Sequence, residues 1–259
     1  MRTERNRNWL GLWTLYAREV RRFVKVYNQT IVAPVVTTLL FLAIFALALG
    51  HTDDAEGNAA FLRFLAPGLV MMAISQNAFA NTSSSIIISK VQGNIVDTLM
   101  PPLTAHELTL ALAFGGVTRG LAVGLAASLA VTIFQPQRLY DPLVMVYFAV
   151  TASLMLSLLG LAGGIWAEKF DHIAAVTNFI IVPLSFLSGT FYSVERLPRA
   201  LQAIAHVDPF FYMIDGFRYG WTGRADMNVH IGMAVLAASC AALWYVCHRM
   251  FATGYKLKA

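Results

Sequence analysis

Residues 31–50 read IVAPVVTTLLFLAIFALALG, a run without a single charge. An α-helix rises 1.5 Å per residue, so a run of this length reaches across the ~30 Å hydrocarbon core of a bilayer. Five further stretches are nearly free of charge and reach or approach that length: 64–89, 108–134, 142–167, 172–194 and 229–247. With residues 31–50 they cover more than half of the 259 residues. A soluble domain can hide one such segment as a core helix, but not six in series. The expected fold is an all-α membrane protein with six transmembrane helices.

Composition agrees. Apolar residues make up 58% of the chain and charged residues only 13%, with a mean hydropathy of +0.61. Soluble domains carry about 25% charge. The length suits a single membrane domain over residues 1–259 with short loops and no second globular unit. The net charge of +5 does not point to nucleic acid, because of where the cations sit. Arg2, Arg5, Arg7, Arg18, Arg21, Arg22 and Lys25 precede the first span, and Arg249, Lys256 and Lys258 follow or end the last. Lys90 and Lys169 fall in loops on that same side, making twelve cations. The other side carries six: Arg63, Arg138, Arg196, Arg199, Arg218 and Arg224. The positive-inside rule then puts both termini in the cytoplasm. The first apolar run begins only after a basic lead, with no small-residue cleavage site, so the first span is expected to stay in the mature chain. Cys240 and Cys247 lie about 10.5 Å apart along the last span, too far for a disulfide. The six histidines form no cluster with metal spacing, and no metal site is expected.

Residues 8–28 form the lead. Trp9, Trp13, Tyr16, Val20, Phe23 and Tyr27 recur at steps of three and four, with Arg18, Arg21, Arg22 and Lys25 off that stripe. This is the pattern of a helix lying in the inner membrane surface, the other reading being a helix docked on a soluble partner. In the second span Asn77, Asn81, Ser84 and Ser85 make a polar face, which inside a bilayer must meet protein or water. It either lines a translocation path or hydrogen-bonds neighbouring helices. Gly116, Gly120 and Gly124 in the third span, and Gly160 and Gly164 in the fourth, are close-packing faces within the subunit or across a dimer. Arg119 in the third span is read as sitting toward the cytoplasmic end, reaching for headgroups or a partner, with substrate binding as a second role.

Residues 90–107, KVQGNIVDTLMPPLTAHE, are longer than a bare connector needs. They hold a short helix from Asn94 through Ile95, Val96, Asp97, Thr98 and Leu99 to Met100, stopped by Pro101 and Pro102. Thr104 with Glu107 has capping-box spacing and starts the next helix. This loop has the character of a docking element. The fifth span is broken by Pro183 and Gly189. Residues 192–226 then combine a repeat of Leu197, Leu201 and Ile204 with dense aromatics from Phe210 to Trp221. They suit short helices in, or dipping into, the outer interface with an aromatic belt.

Several chemistries are missing. No Gly-Lys pair exists, so this chain holds no P-loop, and neither H-E-x-x-H nor G-x-S-x-G occurs. All fourteen acids are read as lying in termini or loops, which argues against an ion-coupled secondary transporter. The chain therefore combines transport architecture with no energy source and no catalytic residues of its own.

These segments resemble the ABC-2 type integral membrane family, particularly small bacterial inner-membrane permeases of the YadH and NodJ kind. The resemblance spans nearly the whole chain. It is carried by REVRRFVKVYNQT (18–30), PGLVMM (67–72), NAFANTSSS (77–85), GNIVDTLMPPLTAHE (93–107), GGVTRGLAVG (115–124) and the outer stretch from LSGTFYSVERLP to VDPFFYMIDGFRYG (187–220). Where the family has Asn before Pro, this chain has Asp208–Pro209. The resemblance implies the permease subunit of an ATP-binding cassette exporter in the bacterial inner membrane. Two copies of a separate cytoplasmic ATPase would hold the ATP and Mg, and this chain no cofactor. A second permease chain, expected as a homodimer, would complete it. Residues 8–28 would be the elbow helix, and Asn94–Leu99 with Pro101 the coupling element. Gly189, Phe191, Tyr192, Pro198, Pro209 and Arg218 would belong to an outer gate in a re-entrant region. Alternating access would be driven by the ATPase. Two other readings stay open at this point: a membrane docking or regulatory subunit without its own path, and a self-contained secondary transporter.

Overall fold

The computed structural model describes residues 8–49, 55–136, 139–194, 198, 202 and 205–257. Among these residues the chain is helical throughout, with no strand. Among the described residues six helices are long and apolar enough to cross a membrane: Asn28–Ala48, Glu56–Val91, Ala105–Phe134, Pro142–Trp166, Phe170–Thr190 and Val229–Thr253. The number of spans expected from hydropathy is therefore found. Their ends differ, because hydropathy loses a helix where polar residues enter its last turns, whereas the backbone ladder continues.

Ahead of the spans lies α1 (Trp9–Val24), and α2 (Ala33–Leu49) follows a π-helical turn at Asn28–Val32. That turn immediately precedes Pro34, whose ring bars an ordinary i→i−4 bond. The longest helix is α3 (Ala55–Val91), with Pro67 inside it. A short α4 (Ile95–Leu99) leads to α5 (Ala105–Phe134), and α6 (Pro142–Trp166) follows. The start of α5 carries the expected capping box, with Thr104 and Glu107 exchanging side-chain-to-backbone bonds. The fifth span is a chain of short pieces: α7 (Phe170–Val176), a π turn Thr177–Ile181, α8 (Val182–Ser185) and a second π turn Phe186–Thr190. It ends at a kink where Gly189 takes φ +82, open to glycine and strained for other residues. Then come α9 (Pro209–Thr222) and α10 (Val229–Thr253).

The centre of the bundle is α3, which packs on α2, α5, α6 and α9. Leu65, Leu69, Met71, Ile74 and Phe79 of α3 meet Phe148, Met155 and Leu156 of α6, and Phe217 and Trp221 of α9. By contrast, among the described side chains of α2 only Thr38 and Leu42 are buried, while Val36, Leu40, Ile44 and Leu47 face outward. On a membrane protein such an apolar face is the one that meets lipid or a second chain.

Two readings are corrected, and the aromatic stripe of α1 is divided between a buried and an exposed side. The dense aromatics of residues 210–221 do not form a belt: Phe210, Phe211, Phe217 and Trp221 are buried against α3, α6 and α10. Composition alone cannot tell an interfacial aromatic from a core one. In α1 the buried line is Leu15, Glu19 and Phe23, whereas Trp9 and Trp13 are exposed. The acids are not confined to termini and loops: Glu19 and Asp215 are buried on helices, though both lie outside the six long apolar ones. Of the expected outer-region residues, Leu197, Leu201, Ile204, Arg196 and Arg199 lie outside the described residues, as do Arg138, Asp53, Asp54, Lys258 and the first seven residues.

Candidate translocation and coupling sites

One end of the bundle gathers α1, α4, the α6–α7 connection and the C-terminal turn. Asn8 caps α1 by accepting from Gly11, while its own N–H donates to Glu107 Oε1 at 3.1 Å. Glu107 Oε2 accepts from Thr104 at 2.7 Å, so one carboxylate fixes the starts of both α1 and α5. Tyr16 and Thr118 share a 2.9 Å hydroxyl contact, and Arg18 donates to Thr98 of α4 at 3.1 Å. In α4 Ile95 and Thr98 are buried, whereas Asn94, Val96, Asp97 and Pro101 are exposed and Leu99 is half-buried. The short helix thus stands on Ile95 and Thr98, with Leu99 packed at the edge of the same core, and presents Asn94, Val96, Asp97 and Pro101 outward. Lys90 Nζ donates to the carbonyls of Ile165 and Ala167, capping the last turn of α6 with a cation. Lys256 and Glu168 pair at 2.8 Å, and this contact holds the exposed Glu168 carboxyl below its ordinary range.

The polar face of α3 is engaged from two neighbours. Arg22 of α1 donates to Asn81 Oδ1 at 3.0 Å, to the Asn81 carbonyl at 2.6 Å and to Ser84 at 3.1 Å. Arg119 of α5 donates to Asn77 Oδ1 at 2.9 Å. Arg119 lies near the middle of its helix and reaches a polar partner on α3, so it is not placed at a helix end facing headgroups. Glu19, nearly fully buried, pairs with Arg22 at 3.2 Å and Arg18 at 3.5 Å. Ser85 is buried as well. Sequence reasoning missed Glu19, although its signal was present as the lone acid in the basic run REVRR.

The glycines mark where helices touch. A Cβ on Gly120 would stand 2.9 Å from Ser153 Oγ and 3.1 Å from the Ile74 carbonyl. On Gly116 it would overlap Ser157, on Gly124 it would meet Ile74 at 2.5 Å, and on Gly160 and Gly164 it would press on the backbone of Phe79 and Ser83. Each partner belongs to this same chain. The small-residue stripes therefore join α3, α5 and α6 within the subunit.

At the other end, Arg218 of α9 is almost wholly buried. It donates to the Gly189 carbonyl at 2.6 Å and to the Phe64 carbonyl at 3.3 Å, and its guanidinium lies 3.8 Å from the Phe64 ring centre. Asp215 is 4.0 Å away and accepts from the N–H groups of Asp226 and Met227. Burial pushes the Asp215 carboxyl up to about 6 despite the cation beside it, and pulls Arg218 down to about 10. Asp208 caps α9 ahead of Pro209, accepting from Phe210, and also accepts from Ser188 at 2.7 Å, which ties the kink to the helix start. Phe191 stacks on Phe186 at 5.0 Å and touches Phe41 and Phe45 of α2. Tyr192 bonds the Leu187 carbonyl, and Pro198 is exposed. Gly189, Arg218, Asp208–Pro209 and Phe191 are thus gathered around the kink, whereas among the described residues Pro198 is bonded only to Gln202.

The arrangement is that of a membrane bundle with a polar interior face, a structured base and a tied outer kink. Residues 11–221 match the sequence model described as ABC-2 type transporter. The chain belongs to the ABC-2 type transporter family. It is 34% identical over 251 residues to the inner membrane transport permease YadH of Escherichia coli K12, spanning 97% of this chain and 98% of that protein. It is also 24% identical over 242 residues to Nodulation protein J of Rhizobium meliloti strain 1021, with 91% and 88% covered. With Nodulation protein J of Neorhizobium galegae the identity is 23% over 233 residues, covering 88% and 87%. As an ABC-2 type transporter the chain is a membrane transport subunit, and the six long apolar helices are its membrane domain.

Proposed function

We propose that this chain is the permease subunit of an ATP-binding cassette exporter in the bacterial inner membrane, driven by a separate cytoplasmic ATPase. The observation that carries the reading is the end-to-end likeness to an inner membrane transport permease, in a chain with no Gly-Lys pair. The base supports it. Asn94, Val96 and Asp97 of α4 stand exposed beside α1, where a coupling helix would meet an ATPase groove, with Leu99 and Pro101 shaping its end. In this reading ATP and Mg belong to two ATPase copies, α1 is the elbow helix, both termini are cytoplasmic, and the permease pairs with a second copy. Alternating access would pass substrate along the Asn77, Asn81, Ser84, Ser85 and Arg119 face and out past a gate at Gly189, Phe191, Tyr192, Pro198, Pro209 and Arg218.

The test is affinity purification in several mild detergents followed by mass spectrometry. A stoichiometric cytoplasmic ATPase is the expected result. An intact permease without an ATPase in every detergent would overturn the reading.

A further inference from the structure

At the end of the bundle remote from α4 lies a cavity of about 430 Å³, within the ~300–1,000 Å³ range of small-ligand sites. Its lining includes Arg63 from the first turns of α3, Arg218 and Thr222 from α9, and Arg224 just beyond. Phe64 and Trp221 supply apolar wall. No acid among the described residues lines it. Charge on the three arginines is unequally balanced. Arg218 has Asp215 at 4.0 Å and two carbonyls behind it, so it is held rigid. Arg63 and Arg224 are exposed and enter none of the ion pairs among the described residues. A concave site with two guanidiniums that enter no ion pair among the described residues, and a third fixed by burial, favours an oxyanion. Planar guanidiniums bind phosphate oxygens in pairs, and the partly apolar wall strengthens the attraction by excluding water.

We propose that this cavity is a phosphate-binding site, taking a phosphate group from an anionic lipid headgroup or from a soluble phosphate. It stands on the geometry of this end alone and needs no ATPase, so it can fail while the permease reading holds, and the reverse.

The test compares wild type with the double variant Arg63→Gln/Arg224→Gln, which removes exposed charge and leaves Arg218 in place. In one arm, native mass spectrometry follows retention of phosphatidylglycerol against phosphatidylcholine. In the other, inorganic phosphate is titrated onto protein in phosphatidylcholine nanodiscs, with binding read as thermal stabilisation. Saturable binding in at least one arm, weakened about tenfold or more in the variant, is the expected result. Phosphatidylglycerol without inorganic phosphate assigns a lipid headgroup, and binding of inorganic phosphate extends the site to soluble phosphates. No saturable binding in either arm, or equal binding by the variant, would overturn the proposal. Without ligand the variant should melt with wild type, and Arg63→Lys/Arg224→Lys should restore part of the binding.

Discussion

Gly160→Ala adds one carbon at the contact between α6 and α3. The new Cβ would lie 2.5 Å from Thr82 Oγ1 and 3.1 Å from the Phe79 carbonyl carbon, with the carbonyl oxygen nearer still. These atoms belong to a helix backbone and to a hydroxyl already donating to the Ser157 carbonyl at 2.7 Å, so neither can swing aside. Overpacking costs about 1–3 kcal/mol, and an unyielding neighbour puts this site at the upper end. Alanine returns about 1 kcal/mol of helix propensity, leaving a net loss of about 2 kcal/mol. Gly163→Ala is the control on the same helix, because its Cβ meets only Ile173 Cδ1 at 3.9 Å. It should gain up to about 1 kcal/mol. Cys240 and Cys247 are free and buried, so a fluorogenic maleimide reports their exposure on heating. At roughly 2–4 °C per kcal/mol, Gly160→Ala should melt about 4–8 °C below wild type and Gly163→Ala at or above it. Equal melting of both variants would refute the close-packing argument.

Four further outcomes follow from the same geometry. Asp97→Ala/Leu99→Ala should lower the melting temperature by no more than about 4 °C, since Ile95 and Thr98 are the buried anchors of α4 and Leu99 is only half-buried, yet abolish ATPase co-purification or transport; unchanged coupling would remove α4 from that role. Glu19→Ala strips the acid from between Arg18 and Arg22 and should cost about 2 kcal/mol, discounted because Arg22 is partly exposed; a melting temperature unchanged from wild type would show that the pair contributes nothing. The Asp215 carboxyl, raised from 3.8 to about 6 by burial, binds its proton more tightly folded than unfolded. Its stabilising contribution is therefore complete below about pH 4 and lost as pH rises through 6, and Asp215→Asn should lack that slope; parallel pH profiles for variant and wild type would be the contrary result. In hydrogen exchange, residues 177–190 should exchange at least tenfold faster than residues 65–87, and equal rates would count against a soft fifth span.

Much of the fold was legible because a bilayer imposes one length and one polarity on every span. Residues 31–50 declare themselves by the absence of charge, and no competing structure satisfies that many backbone groups in lipid. The capping box at Thr104 was legible for a local reason, since both partners lie within one turn. Burial of α9 was not. Its aromatics would serve an interface equally well, and only the packing of Phe217 and Trp221 against α3 and α6 decides between them. The glycine stripes were legible as close contacts, but which helix fills them depends on three-dimensional neighbours such as Ile74 and Ser157. Arg119 and Glu19 show the same limit: a charge announces that it needs a partner without saying which.

The two classes of helix contact divide the molecule mechanically. Where α3, α5 and α6 meet, glycines let backbones and hydroxyls interlock, and sliding by even a fraction of a turn would drive Ile74, Phe79 or Ser153 into a backbone. Such an interface is rigid because packed surfaces resist continuous deformation. The contact between α2 and the end of the fifth span has another character. It consists of rings, Phe41 and Phe45 against Phe191, with Phe191 stacked on Phe186. Aromatic pairs tolerate offset over a range of centroid distances, so they can shift without losing contact. The same two spans carry the π turns, at Asn28–Val32, Thr177–Ile181 and Phe186–Thr190, where backbone bonding already departs from the regular ladder. In the proposed transport cycle the glycine-locked trio would be the fixed part, and the first and fifth spans would move against it. Arg218, bonded to both Phe64 on α3 and Gly189 at the kink, bridges the fixed and moving parts, so any such motion has to break or carry one of its bonds.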